Sequence, residues 1–97
     1  MKGIENIKKI LAEHRDELRE KYGITEIGIF GSYVRGEQKR RSDLDILVEF
    51  NKPIGFFEWI DAEEYITKLL KTKVDLVPRK NIRPELREII LREVVYL

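Results

Sequence analysis

Cysteine is absent from this 97-residue chain, which excludes disulfide frameworks, thiolate metal sites and cysteine nucleophiles. The single histidine, His14, excludes a His-rich zinc site and any mechanism that needs two imidazoles. No apolar run approaches the ~20 residues of a membrane span, and the N-terminus has no signal-peptide apolar region. The expectation is a cytoplasmic protein without membrane contact. An excess of one charge is also missing. Nineteen Lys and Arg against 18 Asp and Glu leave +1, so no global field draws in nucleic acid or a membrane surface. Many Lys, Arg and Glu beside a single Met match a thermophile's composition. Aspartate is scarce as well, with only five among the 18 acids.

What is present describes a folded domain. Hydrophobic residues make up 42% of the chain and the net charge is near zero, which argues against disorder. The length suits one domain, residues 1–97, burying roughly two-thirds of its unfolded surface.

Ile4, Ile7, Ile10, Leu11, His14, Leu18 and Tyr22 recur at helical spacing and predict one amphipathic helix from about Ile4 to Lys21. Glu5 with Lys9 and Glu17 with Lys21 support it, and Gly23 ends it. Ile24 to Phe30 reads as a strand. Gly31 to Ser42 reads as a loop holding one helical turn at most. Leu44, Ile46, Val48 and Phe50 alternate with Asp43, Asp45, Leu47 and Glu49 in a second strand. A helix from Phe56 to about Leu70 is expected to bury Phe56, Trp59, Ile60, Ile66, Leu69 and Leu70. Lys73 to Val77 forms a third strand, ending before Pro78. Pro84 opens a last helix to about Glu93, with Leu86, Ile89 and Ile90 facing inward. The fold class is α+β: a small mixed sheet of three strands, or four if the tail joins, with helices packed on one face.

Aspartate is depleted in strands, yet Asp43, Asp45 and Asp75 fall in or against the expected ones. Asp43 and Asp45, at i and i+2, share a sheet face about 6.5–7 Å apart. Asp75 alternates with Val74 and Leu76 and points to the same face if the second and third strands are neighbours. Carboxylates this close repel one another, and a divalent cation relieves the repulsion. Oxygen-only ligands with open positions select Mg²⁺ or Mn²⁺, and a pair of such ions suits in-line phosphoryl or nucleotidyl transfer. The plainer reading of a lone Asp-x-Asp is a solvated strand edge.

Gly31-Ser32 follows directly on the apolar strand. Glycine permits close backbone approach to a ligand, and Ser32 can cap a short helix whose amides face phosphate. Arg35 and the Lys39-Arg40-Arg41 run make this loop basic, although the run is equally readable as a solvated loop. A Walker A lysine is missing. His14 on an apolar face reads as structural, and Trp59, Phe56 and Phe57 read as core before any base-stacking role. Tyr33 reads as exposed and Glu49 as an outlying acid. Val94 to Leu97 forms an apolar end that covers the core, pairs as an edge strand or docks on a partner.

Gly31-Ser32, ten residues, then Asp43-Leu44-Asp45 resembles the Gly-Ser-x10-Asp-x-Asp signature of the DNA polymerase beta-like nucleotidyltransferase superfamily. The stretch IGIFGSYVRGEQKRRSDLDILVEF is similar to its minimal nucleotidyltransferases, and the likeness runs through Lys73-Val74-Asp75-Leu76-Val77 to RPELREIILREVVYL. It implies that Asp43, Asp45 and Asp75 are the catalytic, metal-binding carboxylates, with Mg²⁺ (two ions, or Mn²⁺) and ATP. Gly31 and Ser32 would hold the nucleotide, and the bottom-up reading adds Arg35. The resemblance also implies an antitoxin that moves AMP onto a tyrosine of a HEPN-domain ribonuclease toxin. Too little chain remains after the nucleotide core to enclose a small acceptor, which favours an acceptor site completed by a second protein. Three other readings stand beside this one: a non-catalytic module that neutralises a toxin stoichiometrically, a nucleotidyltransferase acting on an antibiotic, and a nucleic-acid binder. The near-zero net charge and the acidic sheet face count against the last.

Overall fold

In a computed structural model, which describes residues 3–97, the first amphipathic stretch is two helices, α1 (Ile4–Glu13) and α2 (Arg15–Tyr22). The break falls at His14. Its ring Nδ1 is 2.9 Å from the Ile10 carbonyl that its own amide would take in a continuous helix, and that amide donates to Leu11 instead. A side chain competing for the i−4 carbonyl converts the last turn to a tighter one and ends the helix. The apolar stripe runs on across the break, so Ile7, Leu11 and Leu18 are all fully buried.

β1 (Ile24–Phe30) and β2 (Leu44–Phe50) fall where alternation and β-branching put them. β3 (Val74–Pro78) instead starts one residue later than expected and runs through Pro78, which pairs with Val48 and is tolerated because β3 is an edge strand. β1 and β2 are antiparallel, joined through the short helix α3 (Ser32–Arg35), while β2 and β3 are parallel across α4 (Phe56–Leu70). After a 3-10 turn at Arg79–Asn81 and α5 (Pro84–Glu93), Val95–Tyr96 forms β4, antiparallel to β1. The sheet is therefore mixed and four-stranded, in the order β3-β2-β1-β4. The tail resolves as an edge strand, and Gly28 admits it. A Cβ at Gly28 would lie 2.5 Å from Val94 Cγ2 and 3.0 Å from Tyr96 Cδ1.

One sheet face carries Ile27, Ile29, Leu44, Ile46, Val48, Val74 and Leu76 against α1, α2 and α4. Phe30, Leu47 and Ile82 form a smaller apolar cluster on the other face, covered by Ile90, Leu91 and Val94. The one-sided arrangement thus describes α1, α2 and α4, and α5 adds its last turns to the opposite face.

Two burial expectations are corrected. In α4 the inward stripe is Ala62, Ile66 and Leu70, and Phe56 is 65% exposed. In α5, Leu86 and Ile89 are exposed and only Ile90 of the expected three turns inward. The reason in α4 is the β3 edge. Trp59 Nε1 donates to the Leu76 carbonyl (2.9 Å), Glu63 accepts from the Leu76 amide (2.9 Å), and Thr67 accepts from the Val74 amide (3.2 Å). Residues at i, i+4 and i+8 lie on one helix stripe, so satisfying the edge fixes the rotation of α4. Phe56 falls on that same stripe but one turn before Trp59, at the helix start, where its ring meets Trp59 and Phe57 (centroids 5.9 and 5.6 Å) and stays exposed. No helix among the described residues is long and apolar enough to cross a membrane.

Candidate active site

Strand register brings the sequence-predicted residues together. Phe30 pairs with Asp45 across β1 and β2, and Asp45 pairs with Asp75 across β2 and β3. Adjacent strands lie about 4.8 Å apart, so Asp45 and Asp75 sit side by side on one face. Asp43 stands just before β2, one pleat repeat from Asp45. Gly31 follows Phe30 directly, at the level of Asp45.

Gly31 has φ +82°, and a Cβ there would come within 2.1 Å of Asp45 Oδ2. The backbone turns here in a conformation L-residues avoid, pressed against a carboxylate. Asp45 is half-buried while Asp43 and Asp75 are exposed. Burial, then the charges of Asp75 and Asp43, push the Asp45 carboxyl up to about 6, with Arg35 opposing. Glu93 adds to the rise, which marks it as a fourth carboxylate of the group.

Ser32 opens α3, whose Val34 and Arg35 amides return to the Gly31 carbonyl. Arg35 Nε donates to Glu37 Oε1 (2.8 Å) and Nη1 to both oxygens of Glu93 (2.9 and 3.2 Å). Glu93 also accepts the Gly31 amide at 2.7 Å. Sequence reading missed Glu93. It lies 48 residues beyond Asp45 at the end of a helix, and only the antiparallel β4–β1 pairing carries it back to the Gly31 turn.

Arg40 and Arg41 of the basic run line an open hollow of about 660 Å³ next to Asp43, together with Tyr33, Lys71 and Lys73. The two lysines were not singled out from sequence, because the α4–β3 turn reaches this place only in the fold. Lys39 is exposed, and its amide donates to Ser42 Oγ. Tyr33 is buried against the main core and not exposed as expected. Phe57 is 82% exposed, and Glu49 faces Glu26 along the sheet, away from the aspartates. A second hollow, about 500 Å³, lies at the far end of β2 between Lys52, Arg79, Lys80 and Arg87 and touches none of the three aspartates.

Among the described residues no three acidic or imidazole groups are already gathered at metal-ligand spacing. The donor set nevertheless fits a hard divalent cation. All the groups are oxygens, two of the three aspartates are open to solvent, and their mutual repulsion is the kind a cation relieves.

A mixed sheet bearing paired carboxylates beside a strained Gly-Ser turn is the framework of a nucleotide-transferring enzyme. The chain belongs to the nucleotidyltransferase domain family, whose model matches residues 11–97. It is a nucleotidyltransferase of the minimal type. The protein adenylyltransferase MntA of Thermococcus cleftensis is 48% identical over 94 residues, covering 97% of this chain and 95% of the relative. A crystal structure of a toxin–antitoxin with AMP-PNP is 26% identical with a TM-score of 0.74, covering 94% of this chain and 71% of that one. The MNT antitoxin complex with a tri-AMPylated Shewanella oneidensis HEPN toxin shares the fold, with a TM-score of 0.68 at 19% identity, over 93% of this chain and 70% of that one.

Proposed function

We propose that this chain is a metal-dependent protein adenylyltransferase that moves AMP from ATP to a tyrosine of a HEPN toxin and thereby acts as an antitoxin. The observation that carries the reading is the Asp45–Asp75 register beside Gly31. The match to a protein adenylyltransferase over nearly the whole chain supports the substrate pair. The likeness to a toxin–antitoxin with AMP-PNP supports an adenine nucleotide and a protein partner.

In the reaction the tyrosine hydroxyl gives up its proton to solvent, its oxygen attacks the α-phosphorus of ATP, the α–β phosphoanhydride breaks, and pyrophosphate leaves with the displaced electron pair. Asp43, Asp45 and Asp75 would hold Mg²⁺. A cation held there would offset the carboxylate charge and the charge building on the phosphates. Asp45, half-buried against Gly31, would be the inner of its three ligands. Gly31 and Ser32 let the phosphates approach the backbone, and Arg35 supplies positive charge at the same turn. Arg40, Arg41, Lys71 and Lys73 extend that charge along the hollow beside Asp43. Asp43 and Asp75 face open solvent, and a protein presenting its own tyrosine can complete such a surface.

The test is transfer of α-³²P label from ATP with Mg²⁺ to a HEPN-domain toxin supplied as the acceptor. The reading expects labelled tyrosine and loss of label with Asp43→Asn or Asp45→Asn. Wild-type labelling by both variants would sink the metal assignment. Full toxin neutralisation by unlabelling variants would favour stoichiometric binding.

A further inference from the structure

We infer that Glu93 is a positioning residue for nucleotide transfer, locking the Arg35 guanidinium and the Gly31 turn in the arrangement that receives phosphate. The inference rests on the proposed reading of Arg35 and the Gly31–Ser32 turn as nucleotide-binding.

Glu93 carries its charge in an unfavourable place. A carboxylate close enough to Asp45 to repel it adds a further negative charge to a group that already repels itself. Glu93 is nonetheless well buried there, with 18% of its side chain exposed. Its contacts account for the placement. One oxygen accepts the Gly31 amide at 2.7 Å, and both engage Arg35 Nη1 at 2.9 and 3.2 Å. Glu37 takes Arg35 Nε from the other side at 2.8 Å. Two of the three guanidinium nitrogens are thus tied, and Nη2 has no protein partner among the described residues.

A tied guanidinium with one open nitrogen is a preorganised donor. It loses little side-chain freedom when an anion arrives, whereas a loose surface arginine loses a great deal. The anchor for this clamp is backbone pairing. Val95 and Tyr96 pair with Ile29 and Gly28, and the Leu97 amide donates to the Ile27 carbonyl at 3.1 Å. Glu93 therefore stands on a segment fixed to β1, the strand that delivers Gly31. The Glu93–Gly31 contact spans 62 residues of sequence but closes over a few ångströms of paired strand. Such rigidity favours a permanent orienting contact over a carboxylate that must swing away before phosphate binds.

The experiment compares wild type, E93A, E93Q, R35A and the E93A/R35A double variant in AMP transfer to the HEPN acceptor at varied ATP, beside equilibrium binding of a fluorescent ATP analogue with Mg²⁺. Charge-assisted hydrogen bonds of this kind lead us to expect the KM for ATP to rise about tenfold in E93A and in R35A. The double variant should fall within about twofold of R35A alone, because one residue acts through the other. E93Q should resemble E93A, since an amide cannot receive Arg35 through both of its polar atoms. Being nearly isosteric, it also carries the test if E93A folds poorly. A lower melting temperature or kcat with unchanged KM, and additive effects in the double variant, would mean a merely structural contact and overturn the inference. A KM that falls in E93A would also overturn it, because the carboxylate would then be competing with phosphate. A wild type that neither transfers AMP nor binds the analogue removes the nucleotide reading itself, whereas an active wild type with an indifferent E93A removes only the role of Glu93.

Discussion

Asp45→Asn should stabilise the metal-free protein while abolishing transfer. In the folded state the Asp45 carboxyl is pushed from 3.8 to about 6 by burial and by its acidic neighbours. Ionising it therefore costs more folded than unfolded, and the rise corresponds to roughly 3 kcal/mol at 1.36 per pH unit. Asp45 is only half-buried, so solvent screening reduces this to about 1–2 kcal/mol. The sign follows from linkage. Below about pH 4 the group is protonated in both states, and the variant should gain nothing. Between about pH 4 and 6 the unfolded chain releases its proton first, so the wild type loses stability as pH rises and the variant's advantage grows. Above about pH 6 the advantage is constant. For a domain of this length, 1–2 kcal/mol raises the melting temperature by about 5–15 °C. Thermal denaturation of both proteins in EDTA at pH 4 and pH 7.5 measures it. A variant no more stable than wild type at pH 7.5, or one equally stabilised at both pH values, would refute the electrostatic account of this site.

Three further outcomes follow from the same geometry. Millimolar Mg²⁺ with ATP should raise the wild-type melting temperature and leave Asp45→Asn unmoved, and EDTA should reverse the shift; equal shifts in the two would exclude Asp45 from the metal site. Gly31→Ala should lose transfer and about 1–3 kcal/mol of stability in urea denaturation, since φ +82° and a 2.1 Å approach to Asp45 leave no room for a methyl. Trp59→Phe should lose about 1 kcal/mol by freeing the Leu76 carbonyl on the β3 edge, with transfer kinetics unchanged if that contact serves folding alone.

Period-2 alternation from Leu44 to Phe50 marks β2 to the residue, because one face is wholly apolar while the other mixes Asp45 and Glu49 with the buried Leu47, and a one-residue slip would put the acids into the main core. Alternation puts Asp45 and Asp75 on a shared face only on the condition that β2 and β3 are neighbours, and the parallel pairing meets that condition. Reading failed where tertiary demands overrode local pattern. His14 carries no helix-breaking signature, and its break depends on a ring-to-carbonyl contact. Phe56 belongs to the stripe that serves the β3 edge but stands one turn before Trp59, where the helix begins and its ring meets Trp59 and Phe57. Leu86 and Ile89 likewise look inward-facing by spacing, yet only the last turns of α5 meet the sheet. Glu93 carries no local signal, since it reads as one more charged residue at the end of an amphipathic helix and its partners, Gly31 and Arg35, lie 62 and 58 residues away in sequence.

Gly28 bears no chemistry and stands three residues ahead of the Gly31 turn, yet it sets how closely the tail can lie. A single methyl there would collide with Val94, the residue next to Glu93, and lever the acid away from the turn it holds. Under the role proposed for Glu93, a side chain at this inert position reaches the Gly31 turn through the tail. Among relatives of this chain, bulk at that position should track inversely with affinity for the nucleotide.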